Sequence, residues 1–181
     1  MTTLRITAGA FKGRRIPIPQ NDVRPTSERA RQAFFNIVRD RIEGARFLDL
    51  FSGSGIFALE AVSRGAASAT AVEMSRKNAS AIEKTAAGIG AAVDVVATDA
   101  LSFLKSPGQR DFTLVYADPP YEFAQYDELL ASLDRAPLAS GALVAVEHRR
   151  HTTPFSTELH NLTPWRRNEY GEVWISMFSR N

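Results

Sequence analysis

The chain has 181 residues, 44% of them hydrophobic and 23% charged, which suits one soluble globular unit and excludes a collagen, a coiled coil or a disordered tail. With no cysteine, it can have no disulfide framework, no Cys-held zinc or iron–sulfur centre and no thiol nucleophile. The net charge of +2 conceals a division: up to Arg46 ten Lys and Arg face four Asp and Glu, and from Phe47 onward twelve face sixteen. Eighteen of the 22 basic residues are arginine, the side chain suited to bidentate phosphate contact, so the basic end predicts a polyanionic partner, nucleic acid above all. A merely solvated surface is the competing reading. No apolar run reaches the ~18 residues of a membrane span, and Met1 to Arg15 lacks the apolar stretch of a signal peptide, so a cytoplasmic protein is expected.

Leu4 to Ile18 reads as a glycine-containing hairpin with Lys12, Arg14 and Arg15 about its turn, and Pro17 and Pro19 confine its second strand to an edge. Arg24-Pro25-Thr26 leads into a helix that Thr26 or Ser27 can cap, with Ala30, Phe34, Ile37 and Val38 as its apolar stripe. Arg24 before this helix and Arg29 and Arg31 on it either contact nucleic acid or face solvent. From Phe47 onward short apolar runs alternate with helical stretches, the pattern of an α/β fold with a parallel sheet. Strands are predicted near 46–51, 69–73, 93–97, 112–117 and 142–147, with helices between them ending at Gly65 and Gly88. After a loose stretch over 149–164, segments 165–170 and 173–178 flank Gly171-Glu172 as a closing antiparallel hairpin. The division expected is a basic extension over 1–44 packed on a core over 45–181.

The loops after the first four parallel strands gather at one sheet edge, where open α/β folds bind ligands. Asp49-Leu50-Phe51-Ser52-Gly53-Ser54-Gly55-Ile56-Phe57-Ala58 places two glycines where the backbone can approach a ligand and a small Ala58 where the next helix packs on the sheet. Glu73, ending the second strand with Met74 beside it, can accept hydrogen bonds from both hydroxyls of a ribose. Either a dinucleotide or S-adenosylmethionine answers to this pattern. Asp49 favours the latter, because it would repel a pyrophosphate and attract an ammonium or sulfonium group. Asp99, followed by Ala100, can accept from an adenine amino group or cap the helix that starts there. Asp118-Pro119-Pro120-Tyr121 follows the fourth strand: the prolines stiffen the backbone, Asp118 and a neighbouring carbonyl offer paired acceptors, and Tyr121 offers a flat face. Such a site takes a planar group bearing an NH2. Guanine, adenine, cytosine and a protein glutamine all qualify chemically, whereas carbon-5 methylation of a pyrimidine wants a cysteine that is absent.

These motifs resemble those of the bacterial RsmD family of 16S ribosomal RNA guanine-N2 methyltransferases. The resemblance runs from about Arg5 to Phe178. It takes in Ala8-Gly9-x-x-Lys12-Gly13-Arg14, Arg24-Pro25-Thr26-Ser27, Phe35-Asn36-Ile37, the glycine loop with Leu59-Glu60-Ala61-Val62-Ser63-Arg64-Gly65, Asp118-Pro119-Pro120-Tyr121, Glu147-His148 and Tyr170-Gly171-Glu172. Phe57-Ala58 replaces the more usual Leu-Gly, and Thr85 stands where relatives often carry Asn. The resemblance implies a Rossmann-like class I methyltransferase fold with a seven-stranded, mostly parallel sheet and an antiparallel C-terminal hairpin. It implies S-adenosyl-L-methionine bound by Asp49, Phe51, Ser52, Gly53, Ser54, Gly55, Glu73, Met74, Asp99 and Ala100, and catalysis by Asp118, Pro119, Pro120 and Tyr121. RNA would meet Lys12, Arg14, Arg15, Arg24, Thr26 and Arg29, with no metal. The partner implied is 16S rRNA in an assembling or assembled small ribosomal subunit, and the protein is expected to be a monomer.

Overall fold

The structure, a computed structural model, describes residues 3–18, 26–106, 108, 111–150 and 156–181. Alternation along the first long strand sets the architecture. In β3 (Arg46–Leu50) Phe47 points to one face of the sheet while Leu48 and Leu50 point to the other, and all three are fully buried, so both faces must be covered. One face is packed by α1 (Thr26–Ile37), α2 (Ile56–Ser63) and α3 (Arg76–Ile89) through Phe34, Phe35, Phe57, Leu59 and Ile82. The other is packed by α4 (Ala100–Lys105) and α5 (Tyr126–Arg135) through Leu101, Phe103, Leu129, Leu130 and Leu133.

With β4 (Ser68–Val72), β5 (Val93–Val96), β6 (Phe112–Ala117), β7 (Leu138–Arg149), β8 (Leu162–Tyr170) and β9 (Val173–Arg180), the sheet has seven strands in the order β5-β4-β3-β6-β7-β9-β8. The first four pairings are parallel, and β9 runs antiparallel to both β7 and β8. This is the Rossmann-like arrangement expected from the sequence. The strand order reverses between β3 and β6, so the crevice at their carboxyl ends is the topological switch point at which such sheets bind ligands.

Two local readings are corrected. Gly88 lies within α3; the helix ends at Ile89, and Gly90, at φ +70°, provides the left-handed cap that sends backbone N–H back to Ala86 and Ala87. β7 begins at Leu138 rather than near Ala142, because a bulge lies between the Phe112–Leu138 and Leu114–Leu143 pairs and Gly141, at φ +73°, absorbs it. Pro164 is tolerated in β8 because that strand is an edge, and the register slips beside it at exposed Trp165.

The amino-terminal hairpin, β1 (Thr3–Arg5) with β2 (Arg15–Pro17), is bolted to α2. Ala10 donates to the Ser63 carbonyl at 2.7 Å, Phe11 donates to Ser63 Oγ at 2.9 Å, and Ser63 Oγ donates to the Ala8 carbonyl at 2.6 Å. Gly9, at φ +82°, is required at this approach, since a Cβ there would lie 1.7 Å from the Ser63 oxygen. Deeper in, the wholly buried Glu60 accepts from Arg31 Nε at 2.8 Å, from Arg64 at 2.6 Å and from Thr7, while Arg31 also reaches the Arg5 carbonyl at 3.0 Å. Arg31 is therefore neither a solvent-facing residue nor a nucleic-acid contact: it is the buried rivet between hairpin, α1 and α2.

Candidate active site

Every catalytic candidate, and every cofactor candidate but one, lines a single cleft of about 750 Å³ at the carboxyl ends of β3 to β6. The exception is Gly55. Its φ of +76° turns the chain into α2, but a Cβ there would meet Ile82 at 2.7 Å, so its smallness serves packing on α3. At Gly53, φ +56°, a Cβ would meet nothing within 4 Å among the described residues, which leaves its backbone open to a ligand. Phe51, between β3 and the glycines, holds φ +60°, a conformation costly for an aromatic residue, and its ring meets Phe123 edge-on at 5.2 Å.

The acids of the cleft are held differently. Glu73 joins two loops: Gly53 N–H donates to Oε2 and Ser75 N–H to Oε1, each at 2.8 Å. Each oxygen keeps a second acceptor direction, so the carboxylate can still take both hydroxyls of a ribose without breaking the loop. Asp49 is buried beneath the glycine loop and accepts from Ser52 Oγ at 2.6 Å and from Ala58 N–H at 3.2 Å, capping α2 from the preceding strand. Burial pushes its carboxyl up to about 7, against which those two hydrogen bonds work. Asp99 accepts from Ser102 N–H at 2.9 Å and so caps α4, as one of its two sequence readings has it; hydrogen bonds from Ser102 hold its carboxyl below the ordinary range. It nevertheless faces the cleft, as do Ala100 and Met74, the latter 74% exposed. A recess with two acids for a ribose and a cation, and an uncovered thioether for a flat ring, fits S-adenosylmethionine.

On the other side of the cleft, Asp118 N–H donates to the Leu50 carbonyl at 3.3 Å, carrying the β3–β6 pairing one step past the strand. Pro119 is buried and Pro120 exposed, and the Pro120 carbonyl accepts from Phe123 N–H at 2.9 Å, closing the turn that presents Tyr121. The guanidinium of Arg149, from the end of β7, lies 3.7 Å from the centroid of the Tyr121 ring. Sequence reasoning offers Arg149 only within a basic cluster, Arg149-Arg150-His151, as a fallback RNA contact, and assigns no role to Tyr116 or Glu147; only the strand register brings the three toward the site. Tyr116 is wholly buried, stacked on Phe57 at 3.9 Å, and donates to Glu147 Oε2 at 2.5 Å. Burial and the charges of Glu147, Asp118 and Asp49 raise the phenol well above its usual range, so it stays a donor.

The family model described as conserved hypothetical protein 95 matches residues 4–179. The ribosomal RNA small subunit methyltransferase D of Escherichia coli (strain K12) is 35% identical over 184 residues, covering 98% of this chain and 90% of that protein. The chain belongs to the RsmD family. Its namesake in Buchnera aphidicola subsp. Baizongia pistaciae is 30% identical, over 98% of this chain and 92% of that one. Among solved structures, Escherichia coli yhhF matches with a TM-score of 0.88 at 34% identity, over 99% of each chain. An RsmD-family chain is an S-adenosylmethionine-dependent methyltransferase, and the dinucleotide reading falls away.

The arm candidates divide. Lys12, Arg14, Arg15 and Arg29 are exposed and none lines the cleft, although Leu4 of the same hairpin does. Arg24 lies outside the described residues, as does the side chain of Thr26, the first residue of α1. Arg149, Arg166 and Arg167 on the C-terminal strands and Arg150 in the turn after β7 form further exposed basic positions, while the His151 that follows Arg150 lies outside the described residues. Among the described residues there is no cluster of three metal-ligating side chains, and no helix is long and apolar enough to cross a membrane.

Proposed function

We propose that the protein methylates the exocyclic N2 amine of one guanine in 16S ribosomal RNA of the small subunit. The observation that carries this reading is the opening of Asp118-Pro119-Pro120-Tyr121 into the same cleft as the glycine loop and Glu73. The Escherichia coli relative's name, ribosomal RNA small subunit methyltransferase D, supports the RNA. Glu73 would hold the ribose of S-adenosylmethionine, Met74 and Ala100 would flank its adenine, and Asp49 would lie toward its cationic end. When bound, the cofactor supplies a methyl group made electrophilic by a sulfonium.

The guanine amine is a poor nucleophile because its lone pair is delocalised into the ring. Asp118 and the Pro119 carbonyl accept its two N–H bonds, which draws the nitrogen toward tetrahedral geometry and frees the lone pair. Asp118 then stabilises the positive charge that develops on nitrogen, the form of electrostatic assistance that needs no strong base. The surplus proton leaves after transfer. Tyr121 clamps the base by stacking, worth about 1 to 3 kcal/mol. A paired guanine hides this amine, so the target is unpaired or flipped out. Residues 1–44 form the RNA-contacting extension, with Lys12, Arg14, Arg15, Arg24, Thr26 and Arg29 toward the phosphates, and 45–181 the methyl-transferring core. The protein acts as a cytoplasmic monomer on the assembling or assembled subunit.

The test is mass spectrometry of 16S RNA from cells with and without the gene. One N2-methylguanosine should vanish and return when purified protein and S-adenosylmethionine are added. Loss of a methylated adenine or cytosine instead would overturn the guanine assignment, and absence of any methyl transfer would overturn the reading of the chain as an enzyme.

A further inference from the structure

An acceptor pair after β6 explains capture of an NH2 group but does not distinguish guanine from adenine or cytosine. The neighbouring strand offers a second acid. β6 and β7 run parallel with Ala117 opposite Val146, so the next step along the register sets Asp118 beside Glu147, and both face the cleft. Glu147 is half-buried and its Oε2 is fixed by the Tyr116 hydroxyl. Tyr116 cannot swing away, being sealed between strands with its ring stacked on Phe57. A carboxylate in the cleft wall accepts from an N–H of a bound base more strongly than a neutral glutamine carbonyl would.

Building on the guanine-N2 reading, we infer that Glu147 selects guanine by accepting the N1–H that adjoins the amine held by Asp118. Guanine alone among the amino bases pairs its NH2 with a protonated ring nitrogen on this edge. Adenine presents bare N1 and cytosine bare N3, whose lone pairs would face the Glu147 carboxylate and be repelled. Rejection of this kind is strong because the wrong base sets a lone pair against the carboxylate where guanine sets a proton. Tyr116 is the positioning residue that aims the carboxylate.

The experiment uses RNA carrying either guanine or 2-aminopurine at the methylated position, presented free or in the subunit, whichever state the wild-type protein methylates. 2-Aminopurine keeps the amine and lacks the N1 proton. Wild-type kcat/KM should favour guanine by roughly a hundredfold or more. Glu147→Gln, which can donate to a bare N1, should lower kcat/KM on guanine about 10- to 100-fold and spare or raise that on 2-aminopurine, collapsing the ratio. S-Adenosylmethionine affinity should stay within about twofold. Tyr116→Phe, which keeps the stacked ring, should move the ratio the same way by a smaller factor. An equal loss on both bases in Glu147→Gln, or wild-type protein indifferent to the N1 proton, would overturn the inference while leaving the proposed function standing. A wild-type protein that methylates no RNA guanine would instead overturn the function beneath it.

Discussion

Asp49 makes cofactor binding depend on pH in a way that can be worked through. Its carboxyl stands at about 7 against an ordinary 3.8, chiefly because it is buried, with the nearby charge of Glu73 adding to the shift. At about 1.36 kcal/mol per unit this is about 4 kcal/mol of preference for the protonated form. The cationic end of S-adenosylmethionine, brought near, favours the ionised form, so binding below pH 7 must expel a proton. The association constant should therefore fall about tenfold per pH unit below 7, roughly a hundredfold by pH 5, and level off above 7. Calorimetry in two buffers of different ionisation enthalpy should count close to one proton released at pH 5 and none at pH 8. Without cofactor the sign is the other way. A carboxyl raised in the folded state contributes stability that is full below pH 3.8 and lost as pH rises through 7. Asp49→Asn should thus gain on the wild type by up to about 4 kcal/mol between pH 4 and pH 8, and should bind cofactor without the decade-per-unit slope. Wild-type affinity that stays flat from pH 5 to 8 with no proton release, or an unchanged slope in the asparagine variant, would refute the placement of Asp49 at the cationic end.

Glu73→Ala should weaken S-adenosylmethionine about ten- to a hundredfold by calorimetry, losing charge-assisted hydrogen bonds to the ribose and the ties to Gly53 and Ser75; undiminished affinity would remove it from the ribose. Asp118→Ala should keep the cofactor and lose most methyl transfer, and normal turnover would end the acceptor mechanism. Replacing Lys12, Arg14 and Arg15 together by Ala should flatten the slope of log RNA affinity against log salt by about two units, at about 0.7 per phosphate contact, and raise the RNA KM. A wild-type slope would move phosphate recognition to the exposed arginines of β7 and β8. Glu60→Ala strands Arg31, whose Nη1 already has no hydrogen-bond partner among the described residues, and should cost about 3 to 5 kcal/mol in denaturant unfolding; a loss below 1 kcal/mol would mean water reaches the guanidinium.

What could be read without coordinates follows from how local each feature is. The parallel core was legible because both-face burial leaves continuous apolar runs such as Leu114-Val115-Tyr116-Ala117, and because Gly53, Glu73 and Asp118 each sit within a few residues of a strand end. β7 was underestimated because Ala139-Ser140-Gly141 reads as a turn, and only its pairing with β6 makes it a bulge within a strand. Gly88 and Gly90 both satisfy a cap pattern, and backbone geometry chooses between them. Asp99 carries two meanings because one oxygen can cap a helix while the group faces a cleft. Tyr116 and Glu147 were out of reach for a different reason: a hydrogen bond between neighbouring strands depends on register, which periodicity does not specify. The same holds for Arg149 over Tyr121.

Arg31 changes what the polarised charge means. Counted in sequence, it belongs to the basic end; in space it is cancelled by Glu60 from the acidic half, so part of the asymmetry is a buried pair across the Arg46–Phe47 charge division rather than a surface field. In the proposed function RNA meets exposed Lys12, Arg14 and Arg15, which stand on a hairpin that Gly9, Ser63 and Glu60 hold against α2. α2 is also the helix that Asp49 caps under the cofactor loop, so the hairpin and the cleft share one rigid support. A flexible basic arm would gain affinity through counterion release but lose ordering entropy on each encounter, whereas a docked one has met that cost in folding. Phosphate contacts made on the hairpin can then position the target base relative to Asp118 as well as hold the RNA. For that reason loss of the Gly9 or Glu60 attachment should impair methyl transfer more than the arm's charge alone accounts for.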